Sequence, residues 1–334
     1  MPDNKPPFTV TDRLVILIAD ICEQIGKITM KLQCTVNQHQ RRENCIRTIH
    51  SSLAIEHNTL TIDQVTAIID GKRVLGNPNE IQEVKNAYEA YELMLKLDPN
   101  SVEDLLSAHR LMMKGLVPEN CRFRSKGVGI FDGEQLIHMA PPADLVPKLI
   151  ADLFECYKTS EVHPLIKSAV FHYEFEFIHP FADGNGRMGR MWHSLLLGQW
   201  KELFYWLPIE EMIRSRQAEY YKALGKADKS TDSAIFVELM LDIIYSTLKD
   251  MENVDRSTDQ VSDQDTDQDD NISRLTKILG DTEMSAAEIM NELGLSHRPT
   301  FRKNYLDTAL NKGIIERTIP DKPNSKNQKY RKVK

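Results

Sequence analysis

The twelve-residue run His179-Pro180-Phe181-Ala182-Asp183-Gly184-Asn185-Gly186-Arg187-Met188-Gly189-Arg190 constrains this chain more than any other stretch. Upstream of it, Leu165, Ala169, His172, Phe175 and Phe177-Ile178 recur at helical spacing. Pro180 stops that helix, because proline disfavours helical geometry in the residue before it. His179 is therefore predicted at a helix-to-loop edge. Gly184 and Gly186 can both take positive φ, which lets consecutive backbone N–H groups point into one concavity as an anion nest. Arg187 to Trp200 then reads as a second helix, whose free N-terminal amides and positive dipole end favour phosphate at the same spot. Arg187 and Arg190, three apart, share a face of that helix and can grip phosphate oxygens in bidentate fashion. Asp183 supplies the hard oxygen that Mg²⁺ prefers when substrate phosphates hold most of it. His179, with an ordinary pKa near neutrality, suits a general base for a hydroxyl nucleophile. A calcium loop is excluded: aligning Gly184 or Gly186 with that loop's glycine puts His179 or Phe181 where the first carboxylate belongs. A tight turn with solvated arginines and a satisfied helix-end histidine are the structural readings of the parts. The ordered whole points to a site that handles a triphosphate.

The run HPFADGNGRMGR resembles the HPFx[DE]GNGRxxR pattern of the Fic family at every fixed position. That resemblance implies transfer of AMP from ATP to a Ser, Thr or Tyr hydroxyl of a protein target, with Mg²⁺ as cofactor. By the same resemblance His179 is the base, Asp183 the metal ligand, Gly184, Asn185 and Gly186 the phosphate cradle, and Arg187 and Arg190 the ligands of the β- and γ-phosphates. The residues alone leave AMP transfer and phosphoryl transfer open; the resemblance chooses between them. Residues 129–142, GIFDGEQLIHMAPP, carry Asp132-Gly133 between apolar stretches, a hairpin signal, with two prolines to stop it. The segment looks like the family's flap, which pairs with the target backbone by strand addition; Gln135, Leu136, Ile137 and His138 would then border the nucleotide. Tyr220-Tyr221 and Asp228 resemble the adenine-side segment, although paired helical tyrosines also suit a core.

Residues 51–58, SSLAIEHN, are similar to the family's inhibitory motif [ST]xxxE[GN], with His57 in place of Gly or Asn. Ser52 and Glu56 are four apart and share a helix face. The resemblance implies that Glu56 pairs with Arg190 and keeps that guanidinium from the γ-phosphate, so that ATP binds with its α-phosphate misplaced for attack.

The 334 residues, 41% of them hydrophobic, suffice for a sizeable core and about two domains. The apolar runs are far shorter than a membrane span, and the start MPDNKPPF has no basic region followed by an apolar one. The odd set Cys22, Cys34, Cys45, Cys121 and Cys156, without a CxxC pair, suggests neither a disulfide framework nor a zinc site. A cytoplasmic protein without membrane contact is the expectation. Residues 251–270 are rich in Asp, Ser, Thr and Gln and read as a linker unable to bury enough surface to order itself. Beyond it, residues 271–334 carry 13 Lys and Arg against 7 Asp and Glu, a net of +6, which leaves −13 for residues 1–270 of the −7 total. Three short helical patterns, 272–279, 286–293 and 300–310, precede two strand patterns, 314–319 and 328–331. This looks like a winged helix, with Arg298, Arg302 and Lys303 on or beside its third helix as DNA-contacting candidates and a protein-contact module as the alternative.

The expected architecture is mainly α: a Fic-type (Fido) helical bundle with a β-hairpin flap, plus a small C-terminal winged-helix domain. Its divisions are an N-terminal helical region with the inhibitory helix over 1–100, a catalytic core over 101–250, the linker over 251–270 and the winged helix over 271–334. The expected function is an autoinhibited protein adenylyltransferase. The alternatives are removal of AMP by the same site and a nucleotide-sensing DNA-binding regulator; the donor nucleotide, the target and any homo-oligomer are left open.

Overall fold

The computed structural model describes residues 6–32, 38–118, 120–132, 135–279, 282–293, 301, 305–306, 309–310, 312–318 and 328–333, with backbone alone over 30–32, 38–39, 130–132, 135–138 and 252–274 and at 287 and 291. Two compact units are present, residues 1–251 and 252–334.

The first unit is helical: α1 (Asp12–Leu32), α2 (Gln38–Ile55), α3 (Ile62–Ile69), α4 (Pro78–Met94), α5 (Val102–Met112), α6 (Val146–Thr159), α7 (Pro164–Ile178), α8 (Asn185–Trp200), α9 (Ile209–Ser215) and α10 (Gln217–Ser230), with the start of α11 (Ala234–Leu279). Local chemistry sets several of these starts. Thr61 and Gln64 close a capping box on α3, Asn77 caps α4 ahead of Pro78, and Ser101 accepts from the Asp104 amide at α5. Between α5 and α6, β1 (Gly129–Asp132) and β2 (Gln135–Met139) form an antiparallel hairpin with a register shift at Ile130/Phe131. The turn at residue 133 lies outside the described residues.

α7 and α8 form the centre of this unit. Both are buried on nearly all sides, so neither shows a polar face in its sequence. Phe171, Phe175, Ile178, Met188, Met191, Trp192 and Leu195 pack into one core with α2 to α6. Leu165, Ile166, Ala169, Val170, Tyr173 and Leu197 pack into a second with α1, α9, α10 and α11. Residues of the expected 1–100 region contribute to both cores. Burying such side chains contributes ~1.5–3 kcal/mol each, which fixes the helix pair and therefore the turn between them.

Over the acidic stretch 251–270, read from composition as a linker, the backbone is helical as part of α11. No Gly or Pro occurs between Gly225 and Gly280, so composition removes the core but nothing interrupts the backbone ladder. In the second unit, β3 (Met284–Ser285), β5 (Lys329–Lys332) and β4 (Ile315–Arg317) form an antiparallel sheet in the order β3-β5-β4, beside α12 (Ala286–Glu292). Leu275, Leu279, Ile289, Leu293, Phe301, Ile315 and Tyr330 make its core. Strand β3 had no signal in the sequence. Arg298, Arg302 and Lys303 lie outside the described residues. Among the described residues, no helix is long and apolar enough to cross a membrane.

Candidate active site

His179 is the C-cap of α7, in left-handed geometry with φ 48° and ψ 62°, and its N–H donates to the Phe175 carbonyl at 2.9 Å. Its side chain is 20% exposed, and Nδ1 lies 3.4 Å from the Glu176 carbonyl and 4.0 Å from Glu176 Oε2. Burial pushes the Glu176 carboxyl above its usual pKa.

From Pro180 the chain turns into α8. Gly184, at φ 84°, is the N-cap of α8, and a side chain there would also strike Met113. Gly186 differs from the expectation: it lies in the first turn of α8 without positive φ, so one left-handed glycine rather than two makes the turn. Asn185 is committed to the loop itself. Its Oδ1 accepts from the Phe181 N–H at 2.8 Å and its Nδ2 donates to the Phe181 carbonyl at 2.9 Å, so only its backbone remains for an anion. The first intrahelical bond is Met188 N–H to Gly184 O, which leaves the amides of Asn185, Gly186 and Arg187 at the helix start as anion donors.

Asp183 sits beside those amides with its side chain 56% exposed; Oδ1 accepts from the Gly184 N–H at 2.6 Å and from Arg187 at 3.3 Å. Among the described residues no group of three or more His, Cys, Asp or Glu side chains could hold a metal unaided. One exposed carboxylate beside an anion-binding helix end fits a cation that is bound chiefly by phosphate oxygens.

The two arginines face different carboxylates. Arg187, 5% exposed, reaches Glu83 of α4 at 3.1 Å as well as Asp183. Arg190, 2% exposed, donates from Nε to Ser52 Oγ at 3.1 Å and from NH2 to the Ser52 carbonyl at 3.0 Å and Glu56 Oε1 at 2.8 Å. Glu56 stands one residue past the end of α2, with His57 after it in left-handed geometry at φ 69°. A Cβ on Gly186 would collide with the Glu56 carboxylate, so that carboxylate lies against the first turn of α8 where an anion would sit. Burial raises the Glu56 pKa, but the charge and hydrogen bond of Arg190 outweigh it and hold the carboxyl below its usual range.

Three supporting residues carried no signal in the sequence. Glu83 stands 104 positions from Arg187, beyond any local pattern. His109 of α5 accepts at Nδ1 from the Cys121 N–H at 3.3 Å, so its Nε2 donates to the Asp183 carbonyl at 3.0 Å, and its ring stacks on Phe181 at 3.7 Å. Burial lowers its pKa to about 4, which keeps it neutral. Glu176 lies in a helix buried on nearly all sides, where no spacing in the sequence marks it. Of the residues expected on the adenine side, Tyr220 is 2% exposed, with its hydroxyl 3.1 Å from His172 Nε2, and packs within the second core. Tyr221 is partly buried and meets Tyr220 edge-on, with the Glu56 charge contributing to a raised pKa after burial. Asp228 lies beside Tyr173, whose pKa it helps burial to raise. Gln135 to His138 form the backbone of β2, which runs next to α10.

Comparison with known proteins fits this geometry. The chain is 52% identical to a Fic family protein from Desulfovibrio desulfuricans G20 of known crystal structure, with a TM-score of 0.76 over 98% of both chains. The chain belongs to the Fic family. The Fic/DOC family model matches residues 99–197, and the model for the C-terminal domain of filamentation induced by cAMP protein Fic-like matches 270–332. Proteins named protein adenylyltransferase Fic from Drosophila melanogaster and Nematostella vectensis are 30% identical over 222 residues and 32% over 168, covering 62% and 47% of this chain. The chain spans 42% and 38% of the length of those relatives. Fic-1 of C. elegans shares the Fic fold at 21% identity, with a TM-score of 0.59 over 73% of this chain and 74% of its own.

Proposed function

We propose that this Fic protein transfers AMP from ATP to a hydroxyl side chain of a protein and that Glu56 holds the reaction in check. The single observation that carries the reading is the occupation of Arg190 by Glu56 at the N-terminal end of α8, 2.8 Å apart, because it places a carboxylate where a terminal phosphate would be gripped. The names of the relatives, protein adenylyltransferase, support the reaction class.

In this reading the polyphosphate lies at the start of α8, where the amides of residues 185–187 and the guanidinium groups of Arg187 and Arg190 take its β- and γ-oxygens. With Nδ1 donating to the Glu176 carbonyl, the lone pair of His179 is on Nε2. That nitrogen takes the proton of a Ser, Thr or Tyr hydroxyl as its oxygen bonds to the α-phosphorus. The bond from the α-phosphorus to the bridging oxygen breaks, and pyrophosphate leaves with the electron pair. Asp183 would hold Mg²⁺, which supplies charge neutralisation on the phosphates. Glu83 and Asp183 keep Arg187 in place, and His109 holds the Asp183 backbone.

The test is incubation of the full chain with α-labelled ATP and Mg²⁺, with and without Glu56→Gly. A hydrogen bond to a charged group contributes about 1.5–3 kcal/mol, so its removal should raise labelling of the chain or of lysate proteins by about tenfold or more. The double variant Glu56→Gly, Arg190→Ala should return to background, since the freed arginine is then missing. No gain in the single variant, or full activity in the double, means that the pairing does not inhibit. Loss of label from a premodified target would assign the site to AMP removal instead.

A further inference from the structure

Arg124 lies between α5 and β1, outside the twelve-residue motif, and is 4% exposed. Among the described residues it forms no ion pair; its donors go to backbone carbonyls. Nε donates to the His179 carbonyl at 2.7 Å, NH2 to Ile178 at 3.1 Å and Pro141 at 2.6 Å, and NH1 to Lys126 at 2.9 Å. Its own N–H donates to the Pro180 carbonyl at 2.9 Å. One residue thus satisfies three consecutive carbonyls, 178 to 180, at the end of α7. These carbonyls need an outside donor, since the last turn of a helix leaves its carbonyls without intrahelical partners and carries the negative end of the dipole. They also flank a histidine in left-handed geometry, a conformation that surrounding contacts must impose.

The other two carbonyls belong to the hairpin. Lys126 stands three residues before β1 and Pro141 two residues after β2, and the Ala140 N–H donates to the Val128 carbonyl at 3.2 Å to close the stem. The guanidinium plane therefore joins both stems of the hairpin to the turn that carries His179. We propose that Arg124 is a positioning residue that fixes the β1–β2 hairpin relative to His179, so that a protein segment pairing with the hairpin edge presents its hydroxyl to the imidazole. Only that last clause rests on the AMP-transfer reading; the tie between hairpin and turn stands on the hydrogen bonds. A lysine cannot replace it, because an ammonium is a point charge whose donors do not span carbonyls on opposite sides of a planar fork.

The experiment uses the full chain carrying Glu56→Gly, with Arg124→Lys and Arg124→Gln added singly. Amide exchange of residues 129–139, midpoint of thermal unfolding, calorimetric affinity for Mg²⁺-ATP and the rate of self-labelling are measured. Loss of hydrogen bonds to a charged group should speed hairpin exchange by about tenfold or more while exchange in α4 and α5 stays as it was. In both variants kcat should fall about 10- to 100-fold with nucleotide affinity within about twofold, the pattern of misplaced reactants rather than of lost binding. Arg124→Lys, which keeps charge and most of the volume, guards against a Gln variant that fails to fold. Unchanged hairpin exchange in Arg124→Lys overturns the proposal, as does exchange that rises throughout the unit together with a lost unfolding midpoint. If the Glu56→Gly chain labels nothing, the AMP-transfer reading fails, and hairpin exchange still decides the tie.

Discussion

At the scale of single residues, the proposed reaction divides the site into groups that would face the reacting atoms and groups that hold those in place. His179 is the clearest of the first kind: its imidazole is accessible, whereas its backbone is locked by the Phe175 carbonyl and by Arg124. Replacing it by alanine removes the proton acceptor and no phosphate ligand. In a Glu56→Gly background, His179→Ala is expected to lower AMP transfer by about 10²- to 10⁴-fold while Mg²⁺-ATP affinity, measured by calorimetry, stays within a few-fold. Equal rates in the two proteins would show that the proton goes elsewhere. The candidate reactive residues stand out because their chemistry is crowded into twelve ordered positions, and Glu56 because residues 51–58 resemble the Fic inhibitory motif. Glu83, His109 and Arg124 were not legible. Each acts across long sequence separation, and each contacts backbone or a partner that no local pattern names.

At the scale of elements, the junction of α7 and α8 does the positioning, and its precision comes from close approach of the two helices. Gly189 is the contact point: an added Cβ would stand 2.6 Å from Glu176 Oε1 and 3.3 Å from Phe175 Cδ1. Gly189→Ala is therefore expected to push α8 from α7 and to cost about 1–3 kcal/mol, the usual penalty for overpacking a filled interior, read as a lower urea midpoint with unchanged slope. A variant as stable as the parent would mean that Glu176 yields without cost. Helix boundaries here were readable, since Pro180 and the glycines punctuate an otherwise apolar pattern. The conformation of each glycine was not: Gly184 is left-handed and Gly186 helical, a distinction that depends on where the Asn185 side chain closes the loop. Tyr220 shows the same limit, because a tyrosine pair on α10 fits a nucleotide contact and a core equally until its neighbours are known.

At the scale of the whole first unit, buried ionisable groups give stability two opposed dependences on pH. His109 and His172 have pKa values lowered by burial to about 4 and about 3, so the stability that rests on their neutral forms is complete above pH 6.5 and is lost as pH falls towards those values. Glu210 does the reverse. It is 1% exposed, accepts from the Tyr91 hydroxyl at 3.1 Å and from Ser194 at 3.3 Å, and burial raises its pKa to about 7. The raised value means that the folded chain holds a proton that the unfolded chain has released. Its favourable contribution is therefore full below about pH 4.5 and disappears as pH rises through 7. Glu210→Gln retains a neutral side chain of similar shape but removes the titration. Relative to the parent, the variant should gain about 2–3 kcal/mol between pH 5 and pH 8, since each unit of pKa difference is worth 1.36 kcal/mol. The measurement is the difference in unfolding free energy between the two proteins at each pH. The His109 and His172 terms are common to both proteins and cancel. A difference that stays flat across this range would show that Glu210 titrates near its ordinary value, and that Tyr91 and Ser194 hold a carboxylate rather than a carboxylic acid at the back of α8.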